Sequence, residues 1–375
     1  MERTTVSLGG YSLYIAHLLC LALVPMIFVA NRESRILLGP ITLFFVAGIF
    51  ATLPAVLLFG SGSRTGYFLQ LLANCVLFVV AHRLLSSLTS SRIRLVIGAT
   101  TTLLLAACVV QVVIDPISSA LSGTRFAGIP RPVALFAEPT WVAIFASMLL
   151  GCAVAMRLKL CACLLVVLNV AIFTRSGLVI AAAVLVICGI SSSKWVRSVS
   201  VAIVASGSVL ASLFVYRSVT AQYRVAQVSS LDTRQLDIFA VKAANGGSLS
   251  VLGSEVLRVF DSARNRVVPT TSNVLSFDLF WKFGLGGLLL FSLWGWLVAW
   301  YLPRRAGARF DRFRTVGPWI VLALIPAVMQ VNNAFGRPWL WVMEALLLAV
   351  ISLCSGSDEE SISGPEPRQS RFGGR

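Results

Sequence analysis

Between Ser12 and Cys354 the chain is a succession of eleven apolar runs, most of them as long as a bilayer crossing. Roughly 20 apolar residues span the ~30 Å hydrocarbon layer. Inside that layer backbone N–H and C=O groups have no water to bond, so only helices and closed barrels cross it. The runs are too long and too continuous for barrel strands. They describe an all-α polytopic membrane protein of about eleven transmembrane helices, with a range of ten to twelve. Composition agrees, because 57% hydrophobic residues, 12% charged residues and a mean hydropathy of +0.87 fall outside the range of soluble domains.

The expected spans are Ser12–Ala30, Ile36–Phe59, Tyr67–Leu85, Ile93–Ile114, Pro139–Met156, Leu160–Phe173, Gly177–Ile190, Val199–Tyr216, Ser276–Tyr301, Val316–Val331 and Pro338–Cys354. Leu160–Phe173 and Gly177–Ile190 are short and are separated only by Thr174, Arg175 and Ser176. They are either tight crossings or a broken, partly re-entrant pair. Residues 1–354 form one transmembrane domain that includes a long loop at 217–275, and 355–375 is a polar tail expected to be disordered.

Short connections set the orientation through their basic residues. Arg32, Arg35, Arg83, Arg92, Arg94, Arg157, Lys159, Lys194, Arg197, Arg304, Arg305, Arg309, Arg312 and Arg314 fall on one side, fourteen in number. The opposite side holds six: Arg3, Arg64, Arg125, Arg131, Arg175 and Arg337. The richer side is therefore expected to be cytoplasmic, with the N-terminus and the long loop outside and the C-terminus inside. The first apolar run ends at Asn31 without a small-residue cleavage motif, so it is expected to remain as an anchor. The eight cysteines lie within or at the ends of spans, where small apolar packing is the ordinary role. Cys161 and Cys163 are about 200° apart on a helix, which is poor for metal binding.

The long loop carries seven basic residues, including Arg217, Arg224 and Arg234, against Asp232, Asp237, Glu255 and Asp261. Loops of this length inside a compact domain are usually functional. Asp232 with Gln235 resembles a capping box, and Leu236, Phe239, Ala240 and Ala243 follow at helical spacing, so a short amphipathic helix is expected there.

Ionisable residues in or beside spans are functional candidates because lipid makes them costly. Glu138 precedes Pro139, a residue suited to the first helical turn, and so stands near the positive end of a helix dipole. It is either a catalytic carboxylate or a simple helix cap, with Arg131 a partner or an interface anchor. Arg175, between two abbreviated runs, suits a phosphate oxygen through its planar fork, and snorkelling to headgroups is the alternative. Asp278 and Lys282, four apart, form a structural ion pair more readily than a site. Glu344 lies inside the last span with no partner evident from sequence, and Asn332, Asn333 and Arg337 make a polar tip. His17 and His82 lie away from this region. There is no Walker A loop, dinucleotide fingerprint, HExxH or metal-spaced Cys/His array, so no cofactor or metal is expected, and no nucleic-acid partner.

These residues resemble the bacterial polysaccharide polymerases of the O-antigen polymerase (Wzy) type, related to the O-antigen ligases. The resemblance is carried by Arg131, Phe136, Glu138, Pro139, Thr140 and Ala143; by Thr174, Arg175, Ser176 and Gly177; by the long loop; and by Ser272-Asn273 through Phe283-Gly284-Leu285-Gly286-Gly287. It spans about Thr124 to Trp300. Thr140 stands where serine is usual, and Arg175 lies one position before the family arginine. The ligases are expected to carry a histidine in the loop region, and this chain has none after His82.

The resemblance implies a GT-C-like glycosyltransferase bundle in the bacterial inner membrane. Such an enzyme joins oligosaccharide repeat units carried on undecaprenyl pyrophosphate into a surface polysaccharide (O-antigen, capsule or exopolysaccharide) on the external face, with a chain-length regulator as a possible partner. Under this reading Arg131, Arg175 and Arg234 contact pyrophosphate without metal, and Arg217 and Arg224 assist them. Glu138 takes the acceptor proton, with Asp232 and Asp237 behind it. The alternatives are an O-antigen ligase and a lipid-linked oligosaccharide flippase. A transporter predicts internal repeats and midmembrane charges on several helices, and the halves show no convincing repeat.

Overall fold

The computed structural model describes residues 5–8, 11–14, 32–59, 62–114, 125–126, 129–130, 132–134, 136, 138–172, 174–190, 250–254, 258–261, 266–269, 274–309, 312–330 and 333–362. Along the chain come β1 (Thr5–Leu8), β2 (Tyr11–Tyr14), α1 (Arg32–Phe59), α2 (Gly62–Ser86), α3 (Ser90–Ile114), β3 (Arg125–Phe126) and β4 (Ile129–Pro130). They are followed by α4 (Pro139–Ala155), α5 (Lys159–Ile172), α6 (Arg175–Ile190), β5 (Arg258–Asp261), β6 (Arg266–Pro269), α7 (Leu275–Phe283) and α8 (Leu285–Trp296). A π-helical turn at Leu297–Tyr301 leads into α9 (Leu302–Arg305), and α10 (Phe313–Val328) and α11 (Pro338–Ile362) complete the order. The strands form three separate antiparallel pairs.

The chain is a helical membrane protein. Among the described residues four helical stretches, Gly39–Leu58, Ser90–Val113, Leu285–Arg305 and Pro338–Gly356, are long and apolar enough to cross a bilayer, and five shorter apolar helices accompany them. Large side chains on the outer helices face outward: Phe50 is 70% and Leu57 75% exposed on α1, and Leu95 71% and Val113 71% on α3. Exposure of that extent suits a lipid solvent and not water.

α4 is the central helix. Its buried residues run through every turn, from Trp141 and Val142 to Ala153 and Ala155, so it offers no solvent stripe and is enclosed all round. α5, α6, α10, α11 and α3 surround it, and α2 lies along the far side of α11. The contacts place the starts of α2, α4, α6, α7 and α11 at one end of the bundle, where α1, α3, α5 and α10 finish. The other end gathers Arg83, Arg92, Arg94, Arg157, Lys159, Arg304, Arg305, Arg309, Arg312 and Arg314.

Eight of the expected spans correspond to α1 to α6, α10 and α11. Two need correction. The first run was expected to be helical from Ser12, whereas Ser12–Tyr14 belong to β2, paired with β1; the rest of that run, 15–30, and the Val199–Tyr216 span lie outside the described residues. Ser276–Tyr301 is not one helix. At Gly284 the backbone turns to φ 62°, ψ −144°, ending α7 and starting α8 in a new direction. Leu285 N–H donates to Val251 O at 2.8 Å across that corner, and Ser254 N–H donates to Trp281 O at 2.8 Å. Hydropathy is blind to the break, because apolar residues continue straight through it. At the far end α11 runs past Cys354 to Ile362, and 363–375 lie outside the described residues. Among the described residues Cys75, Cys108, Cys152, Cys161, Cys163 and Cys354 are free thiols.

Gly284 gives the first test. A Cβ there would overlap the Val251 carbonyl oxygen, at a φ that side chains disfavour. Gly284→Ala is expected to cost more than about 2 kcal/mol, from strain of roughly 1–3 kcal/mol plus the overlap. It should lower the thermal midpoint in detergent, while Gly295→Ala, whose nearest neighbour Pro326 is 3.5 Å away, leaves the midpoint unchanged or higher. Equal midpoints for the two variants would show that the corner is not a constraint.

Candidate functional site

At the end of the bundle where α4, α6 and α11 begin, the segment before α4 is held by a side chain of α3. Gln111 Oε1 accepts from Val133 N–H at 2.9 Å and from Ala134 N–H at 2.7 Å. The second bond fixes Ala134 at φ 46°, a left-handed conformation uncommon for alanine. Phe136 N–H then closes a turn onto Val133 O at 2.8 Å. The Phe136 ring is buried against Phe145 and Trp339, with centroids at 5.2 and 5.5 Å.

With Phe136 turned inward, Glu138 is exposed. It is the N-cap residue of α4 by backbone conformation, φ −137° and ψ 144°, yet its side chain makes no capping hydrogen bond. Pro139 follows at the first helical position, where the missing N–H is of no consequence. The carboxylate thus sits at the positive end of a helix without being used to terminate it. One turn further, Trp141 is buried and carries the Arg337 guanidinium above its ring at 4.3 Å. A guanidinium over an indole face is attracted by the ring quadrupole, which holds this charge at the same end of the bundle as Glu138.

Arg175 is the first residue of α6. Thr174 ahead of it is buried, and its Oγ1 accepts from Gly177 N–H at 3.3 Å, a capping contact. Gly177 lets α6 touch α4, since a Cβ there would lie 2.5 Å from the Ala143 Cβ and 2.8 Å from Asn169 Oδ1. Ser147 Oγ seals the same contact, lying 2.8 Å from Ala143 O, 3.0 Å from Asn169 Oδ1 and 3.0 Å from Gly177 O, three acceptors for one proton. The amide of Asn169 donates to Leu165 O at 2.9 Å. α4, α5 and α6 are therefore tied together beneath Glu138 and Arg175, and the two short runs are two separate helices, Lys159–Ile172 and Arg175–Ile190.

A second polar cluster lies beside the Gly284 corner. Lys282 Nζ donates to Asp278 Oδ2 at 2.8 Å, both side chains buried, and sits 5.6 Å from the Tyr67 ring centroid. Asn333 Nδ2 reaches the same Asp278 oxygen at 3.4 Å. Arg64, also buried, donates through Nε to Lys282 O at 2.9 Å and through a terminal nitrogen to Ser254 O. The expected Asp278–Lys282 pair is thus present and accompanied by Arg64, whose burial the sequence did not signal. Glu344 is fully buried near Trp294 and Cys75, and neither its oxygens nor Trp294 Nε1 is in hydrogen-bond geometry with a partner among the described residues.

Comparison with protein-family models, with curated proteins and with solved structures gives no match. Of the residues the sequence singled out, Glu138 and the start of α6 at Arg175 stand at the same end of the bundle as Arg337 and Asn333. Arg131, Arg217, Arg224, Asp232, Arg234, Asp237, His17 and Asn332 lie outside the described residues, as does the expected helix at 232–243. Sequence reasoning gave no site role to Gln111, Trp141 or Arg64. Arg64 stood out only as a charge in a short connection, without a sign that it is buried.

Two tests follow from this geometry. Asp278→Ala leaves Lys282 buried without its counter-ion and is expected to cost about 3–5 kcal/mol, whereas Asp278→Leu with Lys282→Met recovers most of that loss. A double variant as unstable as the single one would place the cost elsewhere. Gln111→Leu orphans two backbone donors at roughly 1–3 kcal/mol each. Amide exchange at 132–138, followed by mass spectrometry, should accelerate, and an unchanged rate would show that Gln111 does not hold the segment.

Proposed function

We propose that this protein polymerises undecaprenyl-pyrophosphate-linked oligosaccharide repeat units into a surface polysaccharide, acting as a metal-independent glycosyltransferase on the external face of a bacterial inner membrane. The observation that carries the reading is the exposed, non-capping Glu138 at the start of α4, beside the Arg337–Trp141 stack and at the same bundle end as the first turn of α6. A glycosyl transfer from a lipid pyrophosphate needs a base and cations, and needs neither nucleotide nor metal. Glu138 takes the proton of the acceptor hydroxyl. The new bond joins that oxygen to the anomeric carbon as the bond from the anomeric carbon to the phosphate oxygen breaks. Arg131 and Arg175 stabilise the charge that collects on the departing pyrophosphate, and Arg234, Arg217, Arg224, Asp232 and Asp237 of the long loop bind the lipid-linked glycan.

In this reading about eleven helices form a GT-C-like bundle, the Glu138 end is external and the arginine-rich end is cytoplasmic. Charge supports that orientation, with fourteen basic residues in the short segments of one side and six on the other. A chain-length regulator is the further partner that the family resemblance implies.

The test is polysaccharide length in a deletion strain carrying wild type, Arg131→Ala, Glu138→Ala or Arg175→Ala, with membrane abundance checked for each. The deletion should leave single capped repeat units, and each variant should restore long chains at a rate reduced by about 10²-fold or more. Loss of all surface glycan, or none, would overturn the reading in favour of a flippase or a ligase.

A further inference from the structure

At the arginine-rich end, α1 and α8 do not close on each other. An apolar groove of about 340 Å³ runs between them, lined by Gly39, Leu43 and Phe44 on one side and by Trp296, Leu297 and Tyr301 on the other. That volume lies at the small end of the roughly 300–1,000 Å³ of small-molecule sites. Two local features border it. Gly39 has no side chain, and a Cβ there would meet nothing within 4 Å. The π-helical turn at Leu297–Tyr301 inserts an extra residue into the helix, which shifts the ring of Tyr301 relative to Trp296; such turns are frequent at functional sites.

The groove is apolar within and cationic at its mouth. Trp296, 49% exposed, pairs with Tyr301 at 5.0 Å between ring centroids, and the Arg305 guanidinium carbon lies 5.5 Å from the centre of the Tyr301 ring. Arg304, on the α10 side, stacks 3.9 Å over Trp300. Arg304, Arg305 and Arg309 are exposed, and the first turn of α1 adds Arg32 and Arg35 to Glu33 in the sequence. Gly39 opens one bilayer-length stretch and Arg305 closes another, so the groove sits where acyl chains meet headgroups. Here a channel and a guanidinium held over its rim occur together.

We propose that this groove binds a membrane glycerophospholipid with an anionic headgroup, one acyl chain lying between α1 and α8 and the phosphate at Arg305. The charge complementarity of the rim selects the headgroup and the groove selects the chain. The site is separate from Glu138 and lies at the opposite end of the bundle, so it stands or falls independently of the polymerase reading.

The test uses the full chain purified in detergent, titrated with dioleoyl phosphatidylglycerol or dioleoyl phosphatidylcholine and read as lipid adducts by native mass spectrometry. Wild type should favour the anionic lipid about fivefold, the selectivity expected from one basic residue near the surface. Arg305→Gln should abolish the preference and Arg305→Lys should keep it. Gly39→Leu should fill the groove and reduce adducts of both lipids, whereas Gly98→Leu, at another open position, should reduce neither. Equal adducts of the two lipids on wild type, a preference that survives Arg305→Gln, or undiminished adducts on Gly39→Leu would overturn the proposal.

Discussion

A peptide group in lipid has no water to bond, and the departures from regular helix described above are each accompanied by a substitute partner. Where α7 breaks into α8, the orphaned N–H of Leu285 finds Val251 O and the carbonyl of Lys282 accepts from Arg64. Where the chain enters α7, Gln330 Oε1 accepts from Ser276 N–H at 3.2 Å. At the π-helical turn Trp319 Nε1 donates to Ala299 O at 2.9 Å, and at the entry to α11 Trp341 Nε1 donates to Phe335 O at 2.8 Å. Gln111 does the same for the segment before α4. Polar side chains that look costly on a hydropathy plot are, in these places, the completion of a backbone that could not complete itself.

The same constraint explains why irregular backbone at the Glu138 end is so closely held. Glu138 is displayed by a buried Phe136 on one side of it and a buried Trp141 on the other, and the left-handed Ala134 is fixed from α3. α6 is brought against α4 through Gly177, Ser147 and Asn169, so the position of Arg175 is set by packing beneath it. Two ends with different chemistry result. One presents a carboxylate and an arginine stacked on tryptophan, and the other is a belt of arginines and aromatic rings around the groove of α1 and α8.

Much of the helical layout was legible because continuous apolar runs of bilayer length have few alternatives, and α1 to α6, α10 and α11 follow those runs closely. The Asp278–Lys282 pair was legible because residues four apart share a helix face. Other features were not. The break at Gly284 left no trace in hydropathy, since its cause is a contact with Val251 far away in sequence. Gln111 and Trp141 looked like ordinary members of apolar helices, and their roles exist only because Ala134 and Arg337 arrive from elsewhere. β2 lay hidden at the start of an apolar run because Ser12–Tyr14 suit a strand as well as a span.

Sequence by itself determined that this chain is a helical membrane protein, because apolar length, together with the cost of an unbonded peptide in lipid, excludes nearly everything else. It also marked Glu138 and Arg175 as charges in an expensive place. Only the tertiary structure decided that Glu138 is displayed without capping its helix, that Arg337 lies over Trp141, and that a groove opens beside Arg305. Those outcomes depend on which helices meet and at what height, and contacts between segments distant in the chain have no local sequence signature.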